Sequence, residues 1–198
     1  MKCYITYDGN DISNYLDLYY VSLMDTNKFL ALDIETFGGS FATFPQGFEV
    51  LLVGIKSCFG YTMYTSEPSS LELMRSDLTD FSGTIVTFNG AKFDIPLLEK
   101  CVEETLGTTL KISCHYDLLA EIHKATGRRI SLDKLSSFTT GAQKLPWDHR
   151  QNLRVWQEAP EEMIAYNKVD LDLTYDLYIR VLNGQHLFLG DTSVILTH

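Results

Sequence analysis

The chain has 198 residues, of which 45% are hydrophobic and 21% charged, the proportions of a soluble globular domain large enough to bury a core. A formal charge of -10 argues against a protein that coats nucleic acid by electrostatics alone. Cys3, Cys58, Cys101 and Cys114 lack any C-x-x-C spacing, which argues against a zinc site or a disulfide framework, and with no leader and no apolar run of about 20 residues the chain reads as cytoplasmic, with no membrane partner.

In chain order, "KCYITYD" reads as a first strand and "DISNYLDLYYVSLM" as a helix capped by Asp11 or Ser13. "KFLALDIE" is a continuous apolar run, the pattern of a buried central strand. "GFEVLLVGIKSC" and "GYTMYTS" are strands on either side of a short turn, a hairpin. "SSLELMRSDL" reads as a short helix and "GTIVTF" as another buried strand. The turn "NGAK" and a helix from Asp94 to about Leu106 follow, and "LKISC" is a further strand candidate. "YDLLAEIHKA" and "SLDKLSSF" are helical on either side of "TGRR". The clearest helix is "PEEMIAYNKVDLDLTYDLYIRVL": Pro160 suits its first position, Glu161 and Glu162 its positive end, and Gly184 its stop. A short strand-like tail closes the chain. Hairpin-bearing strands followed by alternating strands and helices predict an α/β fold, a mixed sheet flanked by helices.

Charge is not evenly spread. Between residues 124 and 154, Lys124, Arg128, Arg129, Lys134, Lys144, Arg150 and Arg154 face only Asp133 and Asp148. Such a run is either a solvated surface or a phosphate-facing patch on an acidic body.

Three short stretches carry the chemistry. In "DIET", Asp33 and Glu35 are two apart on a strand, so they share a face while Ile34 points away. The glycines of "TFGG" end that strand, placing both acids at its carboxyl end, where open sheets carry ligands. Two adjacent carboxylates repel unless a proton or cation intervenes, and a hard divalent ion is the economical answer; a solvated pair is the plain alternative. In "NGAKFD", Asp94 follows a strand and turn and, taken alone, reads as a helix cap; Asn89 and Gly90 alone read as a turn. In "YNKVD", Tyr166 and Asp170 are one helical turn apart on one face. Asp172 and Asp176 read as surface acids.

Together and in this order, "DIET", "NGAKFD" and "YNKVD" resemble the three motifs of the DEDD superfamily of 3'-to-5' exonucleases, in the tyrosine (DEDDy) form, since position 165 holds Ala165 and not histidine. The resemblance spans roughly residues 29–182 and also embraces polymerase proofreading domains and stand-alone or helicase-associated relatives. It implies a ribonuclease H-like fold, a five-stranded mixed sheet with helices on both sides, and one exonuclease domain over residues 1–198 with motifs at 33–36, 89–94 and 166–170. It further implies that Asp33, Glu35, Asp94 and Asp170 hold two divalent cations, Mg2+ or Mn2+, about 3.5–4 Å apart, with Asp33 bridging them. Tyr166 would orient the attacking water, its phenol being a poor base at neutral pH. The implied substrate is single-stranded DNA or RNA with a free 3' end, and the implied product a nucleoside 5'-monophosphate. A polymerase or helicase acting in trans is a possible partner, and a catalytically silent binding module of the same fold is the alternative.

Thr36 and Phe37 follow the first motif, where relatives contact the terminal nucleotide; Phe37 reads equally as core. Asn89 and Lys92 are further substrate candidates, against a turn residue and a solvated lysine. Arg128, Arg129, Lys144, Arg150 and Arg154 are candidates for the substrate strand. Trp147 and Trp156 read as helix packing before base stacking. His115 and His123 have no metal spacing and read as structural or surface residues, and His149 carries no assigned role.

Overall fold

The computed structural model describes residues 28–198. The strand expected over residues 2–8 and the helix expected over residues 11–24 lie outside the described residues.

The apolar run starting at residue 29 becomes β1 (Phe29–Gly38), the middle strand of a five-stranded sheet. Its neighbours are β2 (Phe48–Ser57), antiparallel and continued into β3 (Gly60–Thr65), and β4 (Thr84–Thr87), parallel. With β5 (His115–Asp117) parallel to β4, the order is β3-β2-β1-β4-β5, a mixed α/β sheet of the ribonuclease H-like kind. The expected hairpin is present with its turn at Phe59. The strand expected at "LKISC" is displaced: residues 110–114 are not strand, and pairing with β4 begins only at His115. Tyr116 and Asp117, expected in a helix, belong to β5 because Val86 and Thr87 pair with them.

Alternation along β1 divides the core. Leu30, Leu32 and Ile34 pack on Leu71, Met74 and Leu78 of α1 (Pro68–Asp80) and Leu97, Leu98 and Val102 of α2 (Asp94–Leu106). On the other side, α3 (Leu118–Thr126), α4 (Leu132–Thr140) and the long α6 (Pro160–Leu182) close a second cluster around Val86, Leu135, Leu177 and Tyr178. Between α4 and α6 lies α5 (Asn152–Glu158), for which the sequence offers no periodic pattern. A two-stranded ribbon of β6 (Leu187–Phe188) and β7 (Ser193–Val194) ends the chain, as the strand-like tail suggests.

α6 crosses β1 and β2 closely because Gly54, paired with Asp33, has no side chain. A Cβ there would stand 1.8 Å from Asn167 Oδ1. No helix among the described residues is long and apolar enough to cross a membrane.

Candidate metal centre

The pleat puts Asp33 and Glu35 on the α6 side of β1, and a register shift between Glu35 and Thr36 interrupts the pairing just past them before it resumes to Gly38. From α6, Asp170 descends onto the same spot. Asp33, Glu35 and Asp170 each offer an oxygen within 4.8 Å of the others. Glu35 and Asp170 are only 3% and 4% exposed. Asp94, also buried, opens α2 from the "NGAKFD" loop. It is outside that trio, yet among the neighbouring charges its effect on Asp33 is the largest.

The energetic state of this cluster follows from burial and like charge. Burial, then the charges of Asp94, Asp170 and Glu35, hold the Asp33 carboxyl well above its ordinary range. Burial and the Asp170 charge push Glu35 up to about 8 against a hydrogen bond from Asn167. Burial raises Asp94 to about 7, although the amides of Asp94 and Ile34 favour its charged form. Asp170 is raised by burial in spite of Lys144. Carboxyls so perturbed in one place call for positive charge.

Part of that charge comes from the protein. Lys144 Nζ lies 2.5 Å from Asp170 Oδ2 and 5.2 Å above the Tyr166 ring. Burial alone would lower its ammonium, but the charge and hydrogen bond of Asp170 outweigh it and hold the lysine protonated. Asp170 Oδ1, buried, has no hydrogen-bond partner among the described residues. One lysine against four carboxyls leaves the cluster undercompensated, and an unpartnered carboxylate oxygen is a donor of the type hard cations take. The residues present therefore fit a divalent metal.

Asparagines hold the acids from behind. Asn167 Nδ2 donates to Asp33 Oδ2 at 2.7 Å, and Asn152 Nδ2 donates to the Thr36 carbonyl at 2.8 Å and to Glu35 Oε2 at 3.4 Å. Trp147 stacks on Tyr166 with centroids 4.5 Å apart while its indole N–H donates to Asn152 Oδ1 at 2.7 Å. Burial and the Asp170 charge raise the Tyr166 phenol above its usual value. His149 meets the Tyr166 ring edge-on at 5.9 Å, and burial with the Lys144 charge lowers its imidazole.

The remaining candidates are scattered. Thr36 lies beside the acids through its carbonyl, and half-buried Phe37 packs against the cluster of Leu51, Leu52 and Met163. Asn89 adopts a left-handed φ of 71°, stabilised by its N–H and that of Ala91, which donate to Asp117 at 2.9 Å each. Its Oδ1 accepts from Arg129 Nη2 at 3.1 Å. Lys92 is exposed on the same loop, and Arg128 pairs with Asp191 at 2.9 Å. Arg150 and Arg154 pair with Asp148 and Glu158, away from the acids. His115 bonds Thr87 at 2.8 Å, and Asp172, a surface acid as expected, engages Lys56 and Tyr61. Asn167, Asn152 and the Lys144 pairing escape sequence reading. Only Asn167 leaves a trace, a polar residue three positions before Asp170 on a buried helix face.

A profile described as RNase_H_2, of the RNase_H superfamily, matches residues 30–182. This chain belongs to the RNase H superfamily. Its sheet order agrees with that membership, although β1 runs on to Gly38 and so leaves Asp33 and Glu35 within the strand and not at the carboxyl end that the glycines suggest. No curated protein matches this superfamily member by sequence. Among solved structures it is similar to the family B DNA polymerase from the hyperthermophilic archaeon Pyrobaculum calidifontis, at 16% identity and a TM-score of 0.64, over 79% of this chain. It spans 24% of that polymerase, and at this identity the likeness is one of fold.

Proposed function

We propose that this RNase H-superfamily chain is a metal-dependent 3'-to-5' exonuclease of the DEDDy kind acting on single-stranded DNA or RNA. The observation that carries the reading is the convergence of Asp33, Glu35 and Asp170 within 4.8 Å, with Asp94 acting on Asp33, in the order and spacing of the three motifs. Asp33, Glu35, Asp94 and Asp170 would hold two divalent cations, Mg2+ or Mn2+. When bound, such ions lower the pKa of water and stabilise a departing 3'-oxygen. Tyr166 keeps its proton at neutral pH, so its hydroxyl orients a water and does not deprotonate it. Trp147 stacking fixes the ring that carries that hydroxyl. On this reading Thr36, Phe37, Asn89 and Lys92 would meet the terminal nucleotide, which leaves as a 5'-monophosphate.

The test uses 5'-labelled DNA and RNA oligomers with magnesium, manganese or a chelator. A ladder shortening from the 3' end is expected, abolished by the chelator and by Asp33→Ala. Tyr166→Phe should slow hydrolysis by about 100-fold with metal binding intact. Equal cutting of a 3'-blocked or circular strand would make the protein an endonuclease.

The Lys144–Asp170 pair favours a second reading, a silent binding module in which the lysine stands permanently in place of metal. In that case manganese would not bind even with nucleotide present. In either reading a polymerase or helicase is a fitting partner in trans.

A further inference from the structure

The basic run between residues 124 and 154 does not form one patch. Lys124, Lys144, Arg150 and Arg154 are paired with Glu121, Asp170, Asp148 and Glu158. Arg128, which pairs with Asp191, lines a single open cleft of about 540 Å³ together with Arg129 and Lys134, between the α3–α4 connection, α4 and the β6–β7 ribbon. Arg128 bonds Asp191 and Thr192 through Nη1 while also lining the cleft. Ser131 adds a hydroxyl, Leu119 and Leu189 an apolar lining, and Phe138 a ring that is 50% exposed. Thr139 bonds the backbone of Phe188, which joins the ribbon wall to α4.

Three basic side chains in a concave site, one of them paired with Asp191, favour an anion locally on a chain of net charge -10 whose body repels it elsewhere. An exposed aromatic ring beside them adds a face on which an unpaired base can stack. The cleft is also tied by hydrogen bonds to the Asn89 loop that leads to Asp94. Leu119 N–H on its floor and Asn89 N–H donate to the same oxygen, Asp117 Oδ1, at 3.0 and 2.9 Å. Arg129 on its wall donates to Asn89 Oδ1, and the chain runs from Asn89 into Asp94.

From this geometry we infer that the cleft holds the single strand upstream of the nucleotide being removed, with phosphates on Arg128, Arg129 and Lys134 and a base on Phe138. The inference rests on the exonuclease reading, which directs the 3' end toward the acids. It adds Ser131, Lys134 and Phe138 to the substrate path.

Binding is measured in chelator by fluorescence anisotropy, with fluorescein-labelled oligodeoxythymidylate and oligouridylate decamers, on the full chain and on Lys134→Gln and Phe138→Ala. Both side chains are exposed, and unchanged thermal unfolding of each variant shows that the fold survives. Lys134→Gln should reduce the slope of log affinity against log salt by about 0.7, one single-strand phosphate contact. Phe138→Ala should weaken binding about tenfold. Tight binding of either decamer supports the cleft, and the pair shows which sugar it takes. Variants that bind like the parent overturn it. So do a blunt duplex that binds as tightly as the single strands, or inorganic tripolyphosphate that competes as well as a decamer, which would leave a small-anion site. Because metal is absent, the two readings fail separately. Cleft binding without hydrolysis in a parallel magnesium assay removes the exonuclease alone, while hydrolysis with unaltered variant binding removes the cleft alone.

Discussion

The Asn167 amide bonds Asp33 at 2.7 Å and also favours the ionised form of Glu35, so one uncharged side chain steadies two acids without neutralising either. It can stand there because Gly54 leaves the sheet open beneath it. Outer partners of metal ligands are commonly worth about 10–100-fold in affinity, and Asn167→Ala should weaken manganese binding by that much in calorimetric titration. Unchanged affinity would reduce Asn167 to a packing residue. Gly54→Ala forces a methyl against Asn167 Oδ1 at 1.8 Å and Leu171 Cδ1 at 2.8 Å, and should cost about 1–3 kcal/mol in urea denaturation as well as metal affinity. The two residues touch, so their effects should not add. In an Asn167→Ala background the contact at 1.8 Å is gone while that with Leu171 Cδ1 at 2.8 Å remains, and a smaller further loss is expected.

Among the elements, β5, α3 and the Asn89 loop meet at one side chain. Asp117 accepts from Leu119 and Ala120 as the N-cap of α3 and from Asn89 and Ala91 of the loop that leads to Asp94. Removing a cap costs about 1 kcal/mol, and each buried amide left without a partner about 1–3 kcal/mol more. Asp117→Ala should therefore lose about 3 kcal/mol in urea denaturation, while Asp117→Asn, which can still accept but must turn a donor toward one amide, should lose about a third of that. Equal losses would mean that the carboxylate's geometry is immaterial. The sequence shows Asp117 only as one polar residue in a helical-looking run, because its partners lie 26 and 28 positions away. The same limit explains what else is hidden. Local periodicity reveals β1, β2 and α6, which bury residues along most of their length, and the hairpin through its turn signal. It misplaces β5, which is three residues long and exists only by pairing with β4, and it misses α5, which presents just Asn152 fully to the interior. At the acids, motif spacing brings out Asp33, Glu35, Asp94 and Asp170. Lys144 and Asn152 act on them across long stretches of chain and leave no local pattern.

For the molecule as a whole, the acid cluster sets how stability follows pH. The carboxyls of Glu35 and Asp94 sit at about 8 and about 7 in the folded chain, with Asp33 and Asp170 also raised, whereas unfolded carboxyls titrate near about 4. The folded state therefore holds protons that the unfolded state has released. This contribution is complete below about pH 4 and is lost as pH rises through 7 and 8. Exposed Glu72, Asp148 and Asp191, lowered by arginine partners, act in the opposite sense but only in acid, outside that window. The metal-free protein should thus show a falling melting temperature between pH 5 and 8, and Glu35→Gln should flatten the fall, because a neutral amide has no proton to lose. General repulsion from the net charge would survive that substitution, which separates the two causes. A divalent ion needs the deprotonated acids, so its stabilisation should be small at pH 5 and grow toward pH 8, reaching about 2.7 kcal/mol at a hundredfold excess over the dissociation constant. Melting curves in chelator and in manganese at each pH decide it. Curves that stay parallel across the range would mean that the buried acids and the ion do not share a site.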